Sequence, residues 1–300
     1  MADNEGSGVR TPRRTLLVAG SAALLGGLSG CIAIAADRNA EETATETVDP
    51  EGVDDVTLTT DVADAAVRGE DRADIHVEAV KRAPGEDGLD LLELDVERNG
   101  GTVAVTARRS DDNLLRLGPG PTMDVTVTVP EGVPVTRTAT NTGDADVRGV
   151  DGPATVRTDT GDLRVADVRG DLTARTDTGD QEISGVDGAV SARSATGEVA
   201  VRQSATVDDL RANTGDVTAE IPSLSRDAEV RTDTGDLALS LSRSLDADVT
   251  ASTNTGEITA DGFDDSETET ETTFVAELGD GTHALRVTTD TGDVQLDVTE

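Results

Sequence analysis

The chain has 300 residues, with 61 Asp and Glu against 25 Lys and Arg, a formal net charge of −36. A surface that acidic repels nucleic acid and anionic lipid headgroups, which excludes nucleic-acid binding. There is no Trp or Tyr and there are two Phe, so any core must be aliphatic and narrow, and the single cysteine, Cys31, excludes an intramolecular disulfide.

The acids are interleaved with Val, Leu and Ile along the chain rather than gathered in blocks, which favours a folded acidic surface over a disordered tail. Among the basic residues only Lys81 is a lysine. Acid excess with almost no lysine resembles the proteins of extreme halophiles, haloarchaea among them, which keep molar salt around them.

Residues 1–30 have the layout of an export signal. Arg13 and Arg14 precede an apolar run that ends in Leu28-Ser29-Gly30-Cys31. A twin arginine before a moderately apolar, Gly-containing stretch resembles a Tat signal, which exports folded cargo. Leu-Ser-Gly-Cys resembles a lipobox, which implies that Cys31 becomes the lipidated first residue of the mature chain. An uncleaved alternative stays open, because residues 16–36 carry no charge and are long enough to span a bilayer. Residues 31–52 then provide the anchor and a Thr/Glu-rich segment, expected to be a disordered, solvated spacer.

Residues 53–135 alternate apolar and polar positions, with Asn99-Gly100-Gly101 as a hairpin-type turn, and are expected to form an N-terminal β cap. From residue 136 to 300 a repeat takes over. Thr-Gly-acid recurs with its glycine at Gly143, Gly161, Gly179, Gly197, Gly215, Gly235, Gly256 and Gly292. The first four intervals are 18 residues, followed by 20, 21 and 36, the last read as twice 18. Asn or Asp usually stands two residues before the glycine, and Ala195 replaces it once. This is turn chemistry, since Gly takes φ > 0 without steric cost and Asn or Asp bonds its own backbone.

Between corners the period is two. Leu163 and Val165 alternate with Asp162, Arg164 and Ala166, a second corner follows at Arg169-Gly170-Asp171, and then Leu172 and Ala174 alternate with Thr173 and Arg175. Short alternating strands at constant spacing, none able to bury its apolar face alone, predict an all-β fold: a single β-solenoid (β-helix) of about 18-residue coils with right-handed winding favoured. Stacking predicts ladders as well. Arg157, Arg175, Arg193, Arg211 and Arg231, four residues before their glycines, are expected to form a row beside the acids that follow the glycine. Phe263 and Phe274 are expected to plug the far end.

Enzyme chemistry finds little footing. His76 and His283 lack Cys partners, and no nucleophile-elbow or phosphate-loop motif occurs. No cofactor and no small-molecule substrate is implied. Asp159, Asp162, Asp177 and Asp180 would stack and offer oxygens to Ca²⁺, against a bland reading of solvated charge. Alternating strands followed by VTVTVPEGVPVTRTATNTGDADVRGVDGPATVRTDTGDLRV resemble the DUF4097 family of proposed adhesins, through its P-x-G strand end and its repeated T-x-(S/T)-G-(D/E) and V-x-G turns. The resemblance implies a β-solenoid in an envelope or membrane-tethered protein and carries no catalytic residues. The expected role is a non-enzymatic envelope module contacting another envelope protein or a glycan. A carbohydrate-active enzyme on a β-helix scaffold and an envelope-stress sensor are the alternatives.

At molar salt the Debye length is about 3 Å, short enough to screen repulsion between surface carboxylates. The fold is therefore expected to be lost as salt is withdrawn. A circular-dichroism spectrum unchanged down to millimolar salt would contradict this.

Overall fold

The computed structural model describes residues 40–110, 120–264 and 266–299. Arg13, Arg14, Cys31, the signal assigned to residues 1–30 and the first part of the anchor and spacer, residues 31–39, lie outside the described residues. Strands dominate, with one short helix at Glu86–Leu89.

Each coil contains a leading strand, a Thr-Gly-acid corner and a trailing strand. In one coil these are Ala154–Thr160, Gly161 and Leu163–Val168, and the next leading strand is Leu172–Thr178. Leading strands pair in parallel with leading strands, Arg157 opposite Arg175, and trailing with trailing, Leu163 opposite Gln181. The molecule is thus a β-solenoid with two parallel sheets back to back. Two strands, Gln181–Thr196 and Val199–Thr214, run through the second bend and serve both sheets. The period-two pattern turns Leu163, Val165, Val168, Leu172 and Ala174 inward, all at most 1% exposed. Their counterparts in other layers merge into one aliphatic cluster from Val56 to Leu296.

The corners hold the layers together. The Gly161 N–H donates to the Thr178 carbonyl at 2.9 Å, and the same bond joins Gly143 to Thr160, Gly179 to Thr196 and Gly197 to Thr214. These glycines sit near φ +135°, and a Cβ on Gly179 would lie 2.0 Å from the Gly161 carbonyl oxygen. Side chains are excluded there both by the backbone conformation and by the neighbouring layer.

The ends differ from the sequence expectation in three ways. First, residues 53–135, expected to cap one end, contain two layers of the solenoid itself. Asp55–Val62 and Ala65–Glu70 form a true layer, parallel to Val135–Thr142 and Ala145–Arg148, with Ala63 in the corner glycine's place and Ala63 N–H donating to Thr142. Outside it lies a further layer of Thr102–Arg109 and Thr122–Pro130. Ala63 keeps a Cβ at a corner where the inner layers need glycine. Antiparallel strands Ile75–Ala83 and Leu92–Asn99 then finish this end, the latter through the Gly100-Gly101 turn.

Second, part of the expected spacer is a strand. Ala40–Val48 pairs antiparallel with Ile75–Ala83 over its whole length, with Lys81–Glu42 at 3.3 Å and Arg82–Glu41 at 3.1 Å. As an edge strand it is half-solvated and needs no hydrophobic alternation, so its Thr/Glu composition resembled a linker.

Third, the interval of 36 hides no missing coil. The last segment, His283–Thr291 and Val294–Thr299, slots between Ala228–Thr234 with Leu237–Ser242 on one side and Ala247–Thr255 with Ile258–Asp261 on the other. Gly292 therefore stacks between Gly235 and Gly256. With two layers added to the eight marked by glycines, the described residues form ten layers, roughly 43 Å at about 4.8 Å each. Thr273–Leu278 closes this end in antiparallel fashion, and Phe274 meets Phe263 edge-on at 4.8 Å, the expected plug.

At the second bend, equivalent positions are Gly149, Asp167, Gly185 and Gln203, all with φ between 54° and 65°. Gly179→Ala is expected to lower stability by about 2 kcal/mol or more, through the clash and the strained φ. Gln203→Gly is expected to raise it by up to about 1 kcal/mol. Thermal or chemical denaturation in high salt measures both.

Candidate functional site: corner ladders and the arginine face

Two polar ladders run beside the glycine column. The acid after each glycine accepts the backbone N–H of the corresponding acid one layer on: Asp64 from Asp144, Asp144 from Asp162, Asp162 from Asp180 and Asp180 from Glu198, at 2.9–3.1 Å. The row resumes through Asp216, Asp236, Asp293 and Glu257. Three residues before the glycine an inward Thr hydroxyl donates to the previous corner's carbonyl. Examples are Thr158 to Gly143 at 3.0 Å, Thr232 to Gly215 at 2.9 Å and Thr253 to Gly292 at 2.9 Å. This Thr row was visible in the sequence as the first Thr of T-D-T-G, but nothing in its polarity signals that it faces the core.

The four carboxylates considered for Ca²⁺ each have a partner. Asp162 and Asp180 hold the ladder bonds, Asp159 pairs with Arg157 at 2.7 Å, and Asp177 pairs with Arg175 at 3.2 Å. Among the described residues no group of three or more ligating side chains converges on a metal-sized gap. His76 and His283 lie at opposite ends of the stack, in strands Ile75–Ala83 and His283–Thr291.

The five arginines stack in register as expected: Arg157, Arg175, Arg193, Arg211 and Arg231 are successive partners on the exposed face of the leading sheet. Their acidic neighbours are not those that follow the glycine. Arg157, Arg175 and Arg231 bind the aspartates two residues on, Asp159, Asp177 and Asp233. Strand alternation explains the correction, because residues two apart point to the same side whereas the acid after the glycine lies beyond the corner. The latter row instead meets Arg164 of the trailing sheet, 3.3 Å from Asp162 and 3.6 Å from Asp144.

Two other carboxylates pin loops. The Gly132 N–H, assisted by Arg169, holds Asp151 below the usual carboxylate range. The N–H and hydroxyl of Thr282, with the Asp280 N–H, do the same for Asp246. Surface depressions are shallow. One of about 260 Å³ is lined by Asp162, Arg164, Asp180, Glu182, Glu198 and Arg202, and one of about 530 Å³ by Asp209, Asp227, Glu229, Asp248 and Arg286 among others. No His, Cys or Ser lines either.

Comparison with known proteins agrees with this architecture. The profile of the Toastrack DUF4097 family matches residues 53–297. The chain belongs to this family. The matched region begins after the edge strand Ala40–Val48. No curated protein matches the chain. Solved structures include a proposed cell adhesion protein from Clostridium sporogenes, 12% identical, covering 87% of this chain and 100% of its own, with a TM-score of 0.29. A proposed adhesin from Bacteroides fragilis is 11% identical, covers 85% and 96%, and has a TM-score of 0.46. A proposed lipid binding protein from Parabacteroides distasonis is 12% identical, with coverages of 85% and 96% and a TM-score of 0.28. Among the described residues no helix is long and apolar enough to cross a membrane.

Proposed function

We propose that this Toastrack protein is a non-enzymatic, extracytoplasmic interaction module, anchored to the cell membrane through its N-terminus and working by surface contact. The observation that carries this reading is the division of labour in the fold. The interior is filled by aliphatic side chains, while both sheets present flat outer faces of polar residues in register over many layers. Such a body has little to offer a buried substrate and much to offer an extended partner. The adhesin names of the solved structures are consistent with it. The anchor rests on the twin arginine and on Cys31 after Leu-Ser-Gly. The edge strand begins at residue 40, so few residues separate Cys31 from the folded body, and the long axis starts close to the membrane. The partner is an envelope protein or a glycan, and the surface charge favours operation at high salt.

The intact mass of the membrane-extracted protein tests the anchor. A diacylglycerol adduct on Cys31 is expected. An unlipidated chain recovered in the soluble fraction would contradict it. Crosslinking on intact cells followed by mass spectrometry is expected to capture an envelope component, and a chain that crosslinks only to cytoplasmic proteins would contradict the extracytoplasmic role.

A further inference from the structure

We propose that the exposed leading-sheet face around Arg193 binds the carboxylate or sulfate groups of an acidic polysaccharide. This rests on the contact role above and gives it a ligand class. Four of the five stacked arginines are neutralised within the fold: Arg157 by Asp159, Arg175 by Asp177, Arg211 by Glu229, and Arg231 by Asp233 and Asp290. Arg193, at the centre of the column, is exposed and has no acidic partner among the described residues. The reason is local. Where other coils carry Asp159, Asp177 or Asp233 two residues on, this one carries Ala195, and the next carries Asn213.

The preceding coil, that of Gly179, departs from the repeat on its inner side. Gln181 occupies a core row held elsewhere by Leu163, Val199, Val217 and Leu237. It is 1% exposed, and its Nε2 donates to the Arg193 carbonyl at 2.7 Å. A buried amide is costly unless it is bonded, and the Gln181 Oε1 has no partner. The core thus gives up an aliphatic contact in the layer next to Arg193, where the amide grips the backbone of the unpaired arginine. Beside it, the register between Gln181–Thr196 and Val199–Thr214 shifts between Val190 and Ala192. Such bulges re-aim neighbouring side chains.

The chemistry of the face selects the ligand. Arg175, Arg193 and Arg211 follow one another at about 4.8 Å along the stack, flanked by the hydroxyls of Thr173 and Ser191 and the amide of Asn213. Guanidinium forks hold carboxylate and sulfate oxygens in bidentate fashion, and hydroxyls and amides suit sugar hydroxyls. Nearby acids are occupied: Asp177 by Arg175, Glu229 by Arg211, and Asp209 lies 3.9 Å from Arg226. In molar salt the long-range repulsion between this acidic chain and an acidic polysaccharide is screened, so recognition rests on contact hydrogen bonds, which arginine supplies. The outward side chains here are Arg, Thr, Ser, Asp, Glu, Asn and Ala, and the hydroxyls and amides between the arginines match sugar hydroxyls, which favours a polysaccharide over an acidic protein.

The test is equilibrium binding of the full-length chain in molar salt to a polyuronate, a sulfated polysaccharide, a neutral glucan and polyglutamate. Binding to at least one of the two acidic polysaccharides and not to the glucan is expected, and which of them binds separates carboxylate from sulfate recognition. Arg193→Ala is expected to weaken it about tenfold or more. Ala195→Asp, which gives Arg193 the partner other coils have, should do the same with an unchanged circular-dichroism spectrum. Arg164→Ala on the opposite sheet should leave binding unchanged. Wild-type affinity in Arg193→Ala or Ala195→Asp, polyglutamate binding as tight as either polysaccharide, or no binding to either acidic polysaccharide would overturn the proposal. These outcomes concern the purified chain, so they are separate from failure of the anchoring or surface role.

Discussion

The architecture depends on one close approach. At corner after corner a backbone N–H donates to a threonine carbonyl of the adjacent layer, from Ala63 and then from Gly143, Gly161, Gly179, Gly197, Gly215, Gly235 and Gly292. The glycine backbones pass so near each other that a Cβ would lie about 2 Å from the neighbouring carbonyl. This contact sets the layer spacing and locks the register. With the register locked, a period-two sequence places its aliphatic residues in a shared interior and its charges in columns. The Asp and Thr ladders reinforce the same corner from outside and inside, each satisfying backbone groups that an isolated turn would leave to water.

A stack of parallel strands has two exposed edges, which are templates for unwanted pairing. Both ends use a related device: a terminal segment does not form the last layer but lies one layer in. Asp55–Val62 is covered by Thr102–Arg109, and His283–Thr291 by Ala247–Thr255. Displacing Asp55–Val62 or His283–Thr291 therefore means opening a layer that is paired on both sides. Antiparallel strands carrying Glu and Thr, such as Ala40–Val48, finish the edges with like charge that discourages end-to-end association.

Much of this was legible in the sequence, and the limits have physical causes. The glycine period revealed coils, stacking and the arginine column, because those features repeat. What it could not reveal was order, since nothing in the text of Thr291-Gly292-Asp293 distinguishes a last coil from one inserted between Gly235 and Gly256. The layer at Ala63 escaped because its corner is not pressed by an inner-type neighbour and keeps a Cβ. The strand Ala40–Val48 escaped because backbone bonds and ion pairs at an edge leave no hydrophobic signature. For the candidate face, the arginine row was apparent, but its pairing was not: the partner acids are set by which side of the strand a residue faces, and Gln181 looks like any surface glutamine until its core row is known.

The acidic surface and the ladders act on different scales. Charge spread over the faces sets solubility and salt dependence, whereas the corner bonds set shape. The central claim, that equivalent residues lie one layer apart in the order Gly235, Gly292, Gly256, is open to a direct test by paired cysteines in a chain with Cys31→Ser. On the outer trailing face Ala238 is opposite Gln295, and Gln295 is opposite Thr259. Bridgeable cysteines need Cα atoms within about 7 Å, which admits one layer spacing and excludes two. Oxidation should crosslink Ala238→Cys with Gln295→Cys, and Gln295→Cys with Thr259→Cys, but not Ala238→Cys with Thr259→Cys. A crosslink between positions 238 and 259 with none to 295 would contradict the account.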